Sequence, residues 1–177
     1  MKPLELVARG VNVQDLHWKL MANPQLWNEN DKRTQDPSSP HHGLDDIWVR
    51  FGEPDQNPRQ PHDSIWYPSA DILGVKPMIM RLFAAVGGTR LGGVLITRIP
   101  AGKTCKPHED KGWHADFYKD KYAIQITSAP GQRFCFDDIE FESKPGDVYW
   151  FNNSFKHWVP DPTPYERITM IVCITKE

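Results

Sequence analysis

Residues 146–174 read GDVYWFNNSFKHWVPDPTPYERITMIVCI, and this stretch decides the fold. Three short runs in it, DVYWF, KHWV and RITMIVCI, are rich in β-branched and aromatic residues and are separated by Asn, Ser, Asp and Pro. Runs of this kind, bounded by turn formers, are strand signals. Toward the N-terminus the same texture continues through IEFE (139–142), RFCFDD (133–138), KYAIQI (121–126) and GGVLITRI (92–99). Seven short strand candidates in succession predict an antiparallel sandwich or barrel and argue against a parallel α/β sheet.

Before residue 90 the texture changes. NVQDLHWKLMANPQLW (12–27) begins with an Asn suited to cap a helix and places Val13, Leu16, Leu20 and Met21 at helical spacing. KPMIMRLFAAVGG (76–88) reads as a helix opened by proline and closed by glycines. DDIWVRF (45–51) is a predicted strand, while 28–43 and 52–68 are polar or Pro-rich and read as surface loops. The expectation is one domain over residues 1–177. Residues 1–89 form a helical, loop-rich support. Residues 90–177 form the core of a mainly β fold with flanking helices packed outside it, a double-stranded β-helix or small cupin-like jelly roll.

Composition narrows the function classes. A chain of 177 residues suits a single domain, and its 16 prolines and 12 glycines suit a turn-rich β fold. The net charge of -2 gives no support to a general nucleic-acid binder. No apolar run approaches the roughly 18 residues of a membrane span, and MKPLELVARG is too charged for a signal peptide. Cys105, Cys135 and Cys173 are odd in number and lack CxxC spacing, so no disulfide framework is expected. A cytoplasmic protein with reduced thiols is the resulting expectation.

The chemistry lies at the histidines. PHEDKGWHAD (107–116) contains the pattern His-x-Asp twice, at His108/Asp110 and at His114/Asp116. His108, Asp110 and His157 together make two imidazoles and one carboxylate, the donor set of non-haem iron(II) oxygenase sites with open coordination positions. In a small jelly roll the first two ligands sit at a strand end and the third on a distant strand. The 49 residues from His108 to His157 leave room for the strands between. Arg167 follows His157 by ten residues and would return on the last strand, after a turn through PDPTPYE, into the same barrel. Its planar fork suits a carboxylate, and a buried arginine without an anion is costly. A structural arginine on the last strand is the alternative. His17, His41, His42 and His62 read as structural, with His41 and His42 also candidates to reach a substrate.

With these residues in place the sequence resembles the 2-oxoglutarate- and iron(II)-dependent oxygenases, and most of all their aspartyl/asparaginyl β-hydroxylase-like branch. The resemblance spans roughly residues 90–175. It rests on TRIPAGKTCKPHED (97–110), where a strand and a P-x-G turn lead to Pro-His; on KYAIQI; on GDVYWFNNSFKHWV (146–159); and on RITMIVCI, in this order. NPQLWNENDKRT (23–34) and DDIWVRF look like the substrate-side portion of such enzymes.

The resemblance implies that His108, Asp110 and His157 ligate iron(II) and form the catalytic centre. It selects His108/Asp110 over His114/Asp116 by the distance from the strand carrying Thr97. Arg167 would bind the distal carboxylate of 2-oxoglutarate and Thr97 would add a hydroxyl contact. Lys121 stands where the family often has an arginine, and an ammonium is a point charge, not a fork. Ala123 replaces a frequent histidine, and Gln125, two residues on and on the same strand face, would compensate. Arg50, Trp113, His114 and Trp158 are candidates for substrate contact. The implied reaction consumes 2-oxoglutarate and dioxygen, yields succinate and carbon dioxide, and hydroxylates an amino-acid side chain in a free amino acid, peptide or protein. The alternatives are a non-catalytic cupin-like module that binds a metal or ligand, and an oxygenase of a nucleobase or natural product.

Overall fold

A computed structural model describes residues 2–57, 60–160 and 162–176. Residues 58 and 59 of the predicted 52–68 loop, and residue 161 of the predicted turn, lie outside the described residues. All seven strand candidates of the C-terminal half are strands: β4 (Arg90–Ile99), β6 (Asp120–Thr127), β7 (Phe134–Phe136), β8 (Ile139–Phe141), β9 (Val148–Asn152), β10 (His157–Val159) and β11 (Arg167–Thr175). The predicted strand at DDIWVRF is β2 (Asp45–Phe51).

Three strands escape the sequence pattern. β1 (Leu4–Ala8) and β3 (Ile65–Trp66) are edge strands of the larger sheet, and β5 (Cys105–His108) contains a lysine and a proline. Each is short, so alternation has too few residues in which to show.

The strands form two antiparallel sheets. The larger runs β1-β9-β6-β11-β4-β2-β3 and the smaller β5-β10-β7-β8. From β4 to β11 the chain passes between the two sheets, with β4, β6, β9 and β11 in one and β5, β7, β8 and β10 in the other. This is the jelly roll expected from the sequence.

Strand alternation sorts the side chains. Val94, Ile96, Tyr122, Ile124, Ile126, Ile168, Met170, Val172 and Ile174 form one core on the outer face of the large sheet. They pack against α1 (Gln14–Ala22) through Leu16 and Leu20, and against α4 (Lys76–Ala85) through Ile79. Fully burying an aliphatic side chain contributes about 1.5–3 kcal/mol, so this layer fixes the sheet against its support. The intervening residues of β6, β9 and β11 face the small sheet. There Ala123, Tyr149, Phe151 and Ile171 meet Phe134, Phe136 and Val159 in a second core. A central strand such as β11 is therefore largely apolar on both faces, with Arg167 as its buried charge and Thr169 as a second buried polar residue.

The helix boundaries follow local chemistry. At α1 the first non-helical position is Val13, one residue after the expected cap, and the Asn12 carboxamide oxygen accepts the Gln14 N–H at 3.1 Å. At the end of α4, Gly87 adopts φ +67°, where glycine carries no Cβ penalty. The predicted loop over 28–43 departs from expectation, because Lys32–Gln35 form a single helical turn, α2. That turn is held by polar bonds. Asn28 donates to Asp45 Oδ1 at 2.6 Å and accepts the Asp46 N–H at 3.0 Å, while Thr34 Oγ1 donates to the Asp31 carbonyl at 3.2 Å. No apolar period announces such a turn.

Among the described residues no helix is long and apolar enough to cross a membrane.

Candidate active site

A cavity of about 350 Å³ opens between the two sheets. Its wall includes His108, Asp110, His157, Arg167, Thr97, Lys121 and His114. Of the remaining residues expected at the site, Arg50, Gln125, Trp113 and Trp158 are not part of this wall.

His108 ends β5 and pairs in register with His157, the first residue of β10. Their ring centroids are 4.3 Å apart. Asp110 follows two residues after His108, just past the end of β5, and its N–H donates to the Asn153 carbonyl at 3.0 Å. One donor atom from each of the three residues lies within 4.8 Å of the others.

The histidines are preset for ligation. His108 Nδ1 bonds the Lys106 carbonyl at 2.7 Å and His157 Nδ1 bonds the Phe155 carbonyl at 2.8 Å. A carbonyl accepts only from N–H, so each Nδ1 carries the proton and each Nε2 lone pair is free, the second-layer arrangement common to metal-binding histidines. Burial lowers both pKa values, that of His157 to about 4, so both rings are neutral near pH 7. Asp110 carries its charge for the opposite reason. Burial alone would raise its pKa, but Lys121 and the two imidazoles hold it well below the ordinary carboxylate range. Lys121 Nζ donates to Asp110 Oδ2, and Oδ1 lies 3.6 Å from His108 Nε2. Two neutral imidazoles and one ionised carboxylate on one wall fit a divalent iron ion.

Arg167 occupies the same wall at the start of β11 and is 3% exposed. Its guanidinium donates to the Gln132 carbonyl at 3.4 Å, Ser143 Oγ at 3.1 Å and Tyr149 Oη at 3.3 Å. All three acceptors are neutral, and among the described residues no carboxylate pairs with it. A buried guanidinium in this state is suited to an anion from outside. Gln125 is fully buried behind this group. It accepts the Ser143 hydroxyl at 2.7 Å and donates to Thr169 Oγ1 at 3.1 Å, so it steadies the serine that Arg167 contacts.

Thr97 is engaged by residues the sequence reading passed over. Its hydroxyl donates to Asp46 Oδ1 at 2.8 Å and accepts from Arg33 Nη2 at 2.9 Å. Arg33, on α2, also grips Asp46 through Nε and Nη2 at 2.8 and 2.9 Å. Burial opposes the charge of Arg33, but Asp46 outweighs it and raises the pKa above its ordinary value. His41 also joins the wall, edge-on to His108 at 4.8 Å. Burial and then Arg33 hold its pKa well below the ordinary histidine value. The spelling RT-x₆-HH in 33–42 offers no periodicity that points Arg33 at the site.

The second His-x-Asp pair divides. His114 lies on α5 (Trp113–Phe117), where residues two apart point in different directions. His114 lines the cavity and Asp116 is exposed. His114 Nε2 accepts the Gly93 N–H at 3.0 Å, a close approach that a Cβ on Gly93 would crowd at 3.1 Å from the ring. Burial, followed by Lys121 and His62, lowers its pKa to about 3.

The other three substrate candidates have different surroundings. Trp113 stacks on Phe117 at 5.3 Å and meets His62 at 5.1 Å. Arg50 lies over Trp66 at 5.1 Å and donates to the Leu91 carbonyl at 3.4 Å. Trp158 alternates with the inward-facing His157 and Val159 and lies under Lys156 Nζ at 5.8 Å.

No protein-family model and no curated protein matches the chain. Solved structures do share its fold. An oxidoreductase of the 2OG-Fe(II) oxygenase family from Burkholderia pseudomallei aligns with a TM-score of 0.59 at 16% identity, over 77% of this chain and 70% of that one. The viral collagen prolyl hydroxylase of Paramecium Bursaria Chlorella virus-1, in its 2OG complex, aligns with a TM-score of 0.60 at 10% identity, over 99% and 97%. A Trichoplax adhaerens prolyl hydroxylase, in complex with a hypoxia inducible factor oxygen degradation domain peptide fragment, aligns with a TM-score of 0.64 at 11% identity, over 98% and 84%. At these identities the likeness is one of fold.

Proposed function

We propose that this protein is a 2-oxoglutarate- and iron(II)-dependent dioxygenase that hydroxylates an amino-acid side chain, in a free amino acid or a peptide. The observation that carries the reading is one cavity that joins the His108/Asp110/His157 donor set to Arg167, a buried cation with no carboxylate partner among the described residues. A simple metal-binding module has no use for the second feature. The jelly-roll fold, shared with solved enzymes of this class, supports the same reading, as does the sequence resemblance to the β-hydroxylase-like branch.

In this reading His108 Nε2, His157 Nε2 and Asp110 hold the metal. When bound, iron(II) and 2-oxoglutarate supply the chemistry that splits dioxygen between succinate and a new substrate hydroxyl, with release of carbon dioxide. The protein's own part is positioning. Lys121 keeps Asp110 ionised and holds one of its oxygens. Arg167, with Ser143 and Tyr149, receives the distal carboxylate of 2-oxoglutarate, and Gln125 keeps Ser143 in place. Phe134 and Phe151 meet His157 edge-on at 5.6 and 5.4 Å and keep bulk water from the metal side. Three buried free thiols support a reducing, cytoplasmic setting.

The test is succinate formation by the full chain with iron(II), ascorbate and 2-oxoglutarate, with a screen of amino acids and peptides for a mass gain of one oxygen. Succinate above the iron-free control is the expected result. Absence of both succinate and iron-dependent 2-oxoglutarate binding overturns the reading.

A further inference from the structure

The charges on the cavity wall are distinctive. Asp110 is matched by Lys121, and Asp46 behind the wall is matched by Arg33. Arg167 is left as the cation without a carboxylate among the described residues. A divalent metal and a 2-oxoglutarate dianion cancel each other, so the loaded site still carries one positive charge in excess. A low-dielectric cavity with such an excess favours an anionic third component.

Arg33 shows where that anion is received. Asp46 is fully buried and Thr97 is its neighbour across the β2–β4 register. They take the Nε and Nη2 donors of Arg33 and lock the guanidinium plane. Nη1 has no hydrogen-bond partner among the described residues, and the side chain, 30% exposed, forms part of the cavity wall. A clamped guanidinium with a free amino group is preorganised for a carboxylate, because little side-chain freedom remains to be lost on binding. Thr97 pairs with Thr169, two residues from Arg167 on the same strand face, so Arg33, held by Thr97, and Arg167 stand at neighbouring levels of the cavity.

We infer that Arg33 is the anchor for a carboxylate on the substrate, so that the site takes an acid and rejects the matching neutral amide. This rests on the dioxygenase reading above. The carboxylate belongs either to a free amino acid or to an acidic side chain of a peptide. A cavity of about 350 Å³, shared with 2-oxoglutarate, is at the small end of the roughly 300–1,000 Å³ of ligand pockets and has room for only one residue-sized group beside it.

The experiment uses the full chain loaded with manganese(II) and 2-oxoglutarate, with binding read by tryptophan fluorescence. The probes are the free L-amino acids, their α-carboxamides, and end-blocked peptides containing Asp or Glu with Asn and Gln counterparts. The expected result is that at least one acid binds 30-fold or more tighter than its amide, and the free or the peptide series shows which source of carboxylate is used. In Arg33→Gln/Asp46→Asn, which leaves no buried charge unpaired, that ratio falls to within about threefold, while Arg33→Lys retains part of it. Equal binding of acids and amides, no binding by any acid, or an unchanged ratio in the double variant overturns the inference. So does a double variant that weakens 2-oxoglutarate alone. Iron-dependent 2-oxoglutarate binding and succinate formation by the unaltered chain report separately on the dioxygenase reading.

Discussion

His108-Glu-Asp110 and His114-Ala-Asp116 have the same spelling and lie six residues apart, yet the fold uses them differently. The first pair stands at the end of β5, where imidazole and carboxylate come together with His157 across the β5–β10 register. The second pair lies on a helical turn, where the same spacing sends His114 into the cavity and Asp116 into solvent. Even the histidine differs. His108 offers Nε2 to the cavity because a carbonyl holds Nδ1, whereas His114 Nε2 is already taken by the Gly93 amide. A short motif therefore means what its backbone period makes it mean.

The largest effect expected from this contrast is on metal binding. His108→Ala, Asp110→Ala or His157→Ala should abolish manganese(II) binding in equilibrium dialysis, whereas His114→Ala and Asp116→Ala should retain it. Binding lost in His114→Ala and kept in His108→Ala would reverse the two roles. Next comes the anion end of the same cavity. Arg167→Gln should weaken 2-oxoglutarate binding by about 2–5 kcal/mol, roughly 30-fold to several thousand-fold, with metal still bound. Without 2-oxoglutarate, Arg167→Met should be at least as stable as the parent in urea, because a buried charge with only neutral partners is removed.

A smaller effect concerns the pH dependence of stability. The folded pKa of His114 is lowered to about 3, against about 6.5 in the unfolded chain. Between these values the unfolded chain binds more protons. Stability contributed by the neutral ring is thus complete above pH ~6.5 and falls as pH drops toward 3. His157, at about 4, acts in the same direction. The urea midpoint should decline from pH 7 to pH 5, and His114→Gln should reduce the decline; an equal slope in the variant would remove His114 from this account. The smallest effect belongs to Asp116. Asp116→Asn, at an exposed position without a metal role, should shift stability by no more than about 0.5 kcal/mol.

How much of this was legible in the chain depended on the kind of signal. The seven core strands announced themselves because each buries β-branched and aromatic residues between turn formers. The His108/Asp110/His157 set was legible as a donor inventory, and Arg167 as a cation on an otherwise apolar strand. β5 was not legible, because four residues containing Lys and Pro show no alternation. Arg33 was not legible either, and His41 only as one of two adjacent loop histidines able to reach a substrate. They reach the cavity because Asn28 ties a polar segment to Asp45 and Asp46, bonds that span 17 and 18 residues and leave no periodic trace.

By itself the sequence determined the strand inventory, the antiparallel jelly roll and the list of groups able to bind a metal and an anion, because these follow from local pattern and side-chain chemistry. The family resemblance already favoured His108/Asp110 over His114/Asp116, but only the tertiary structure decided that Gln125 steadies Ser143 behind Arg167 and that Arg33 stands clamped at the cavity with one amino group free among the described residues. Those outcomes depend on strand register and on hydrogen bonds between residues far apart in the chain, and no local run of residues encodes them.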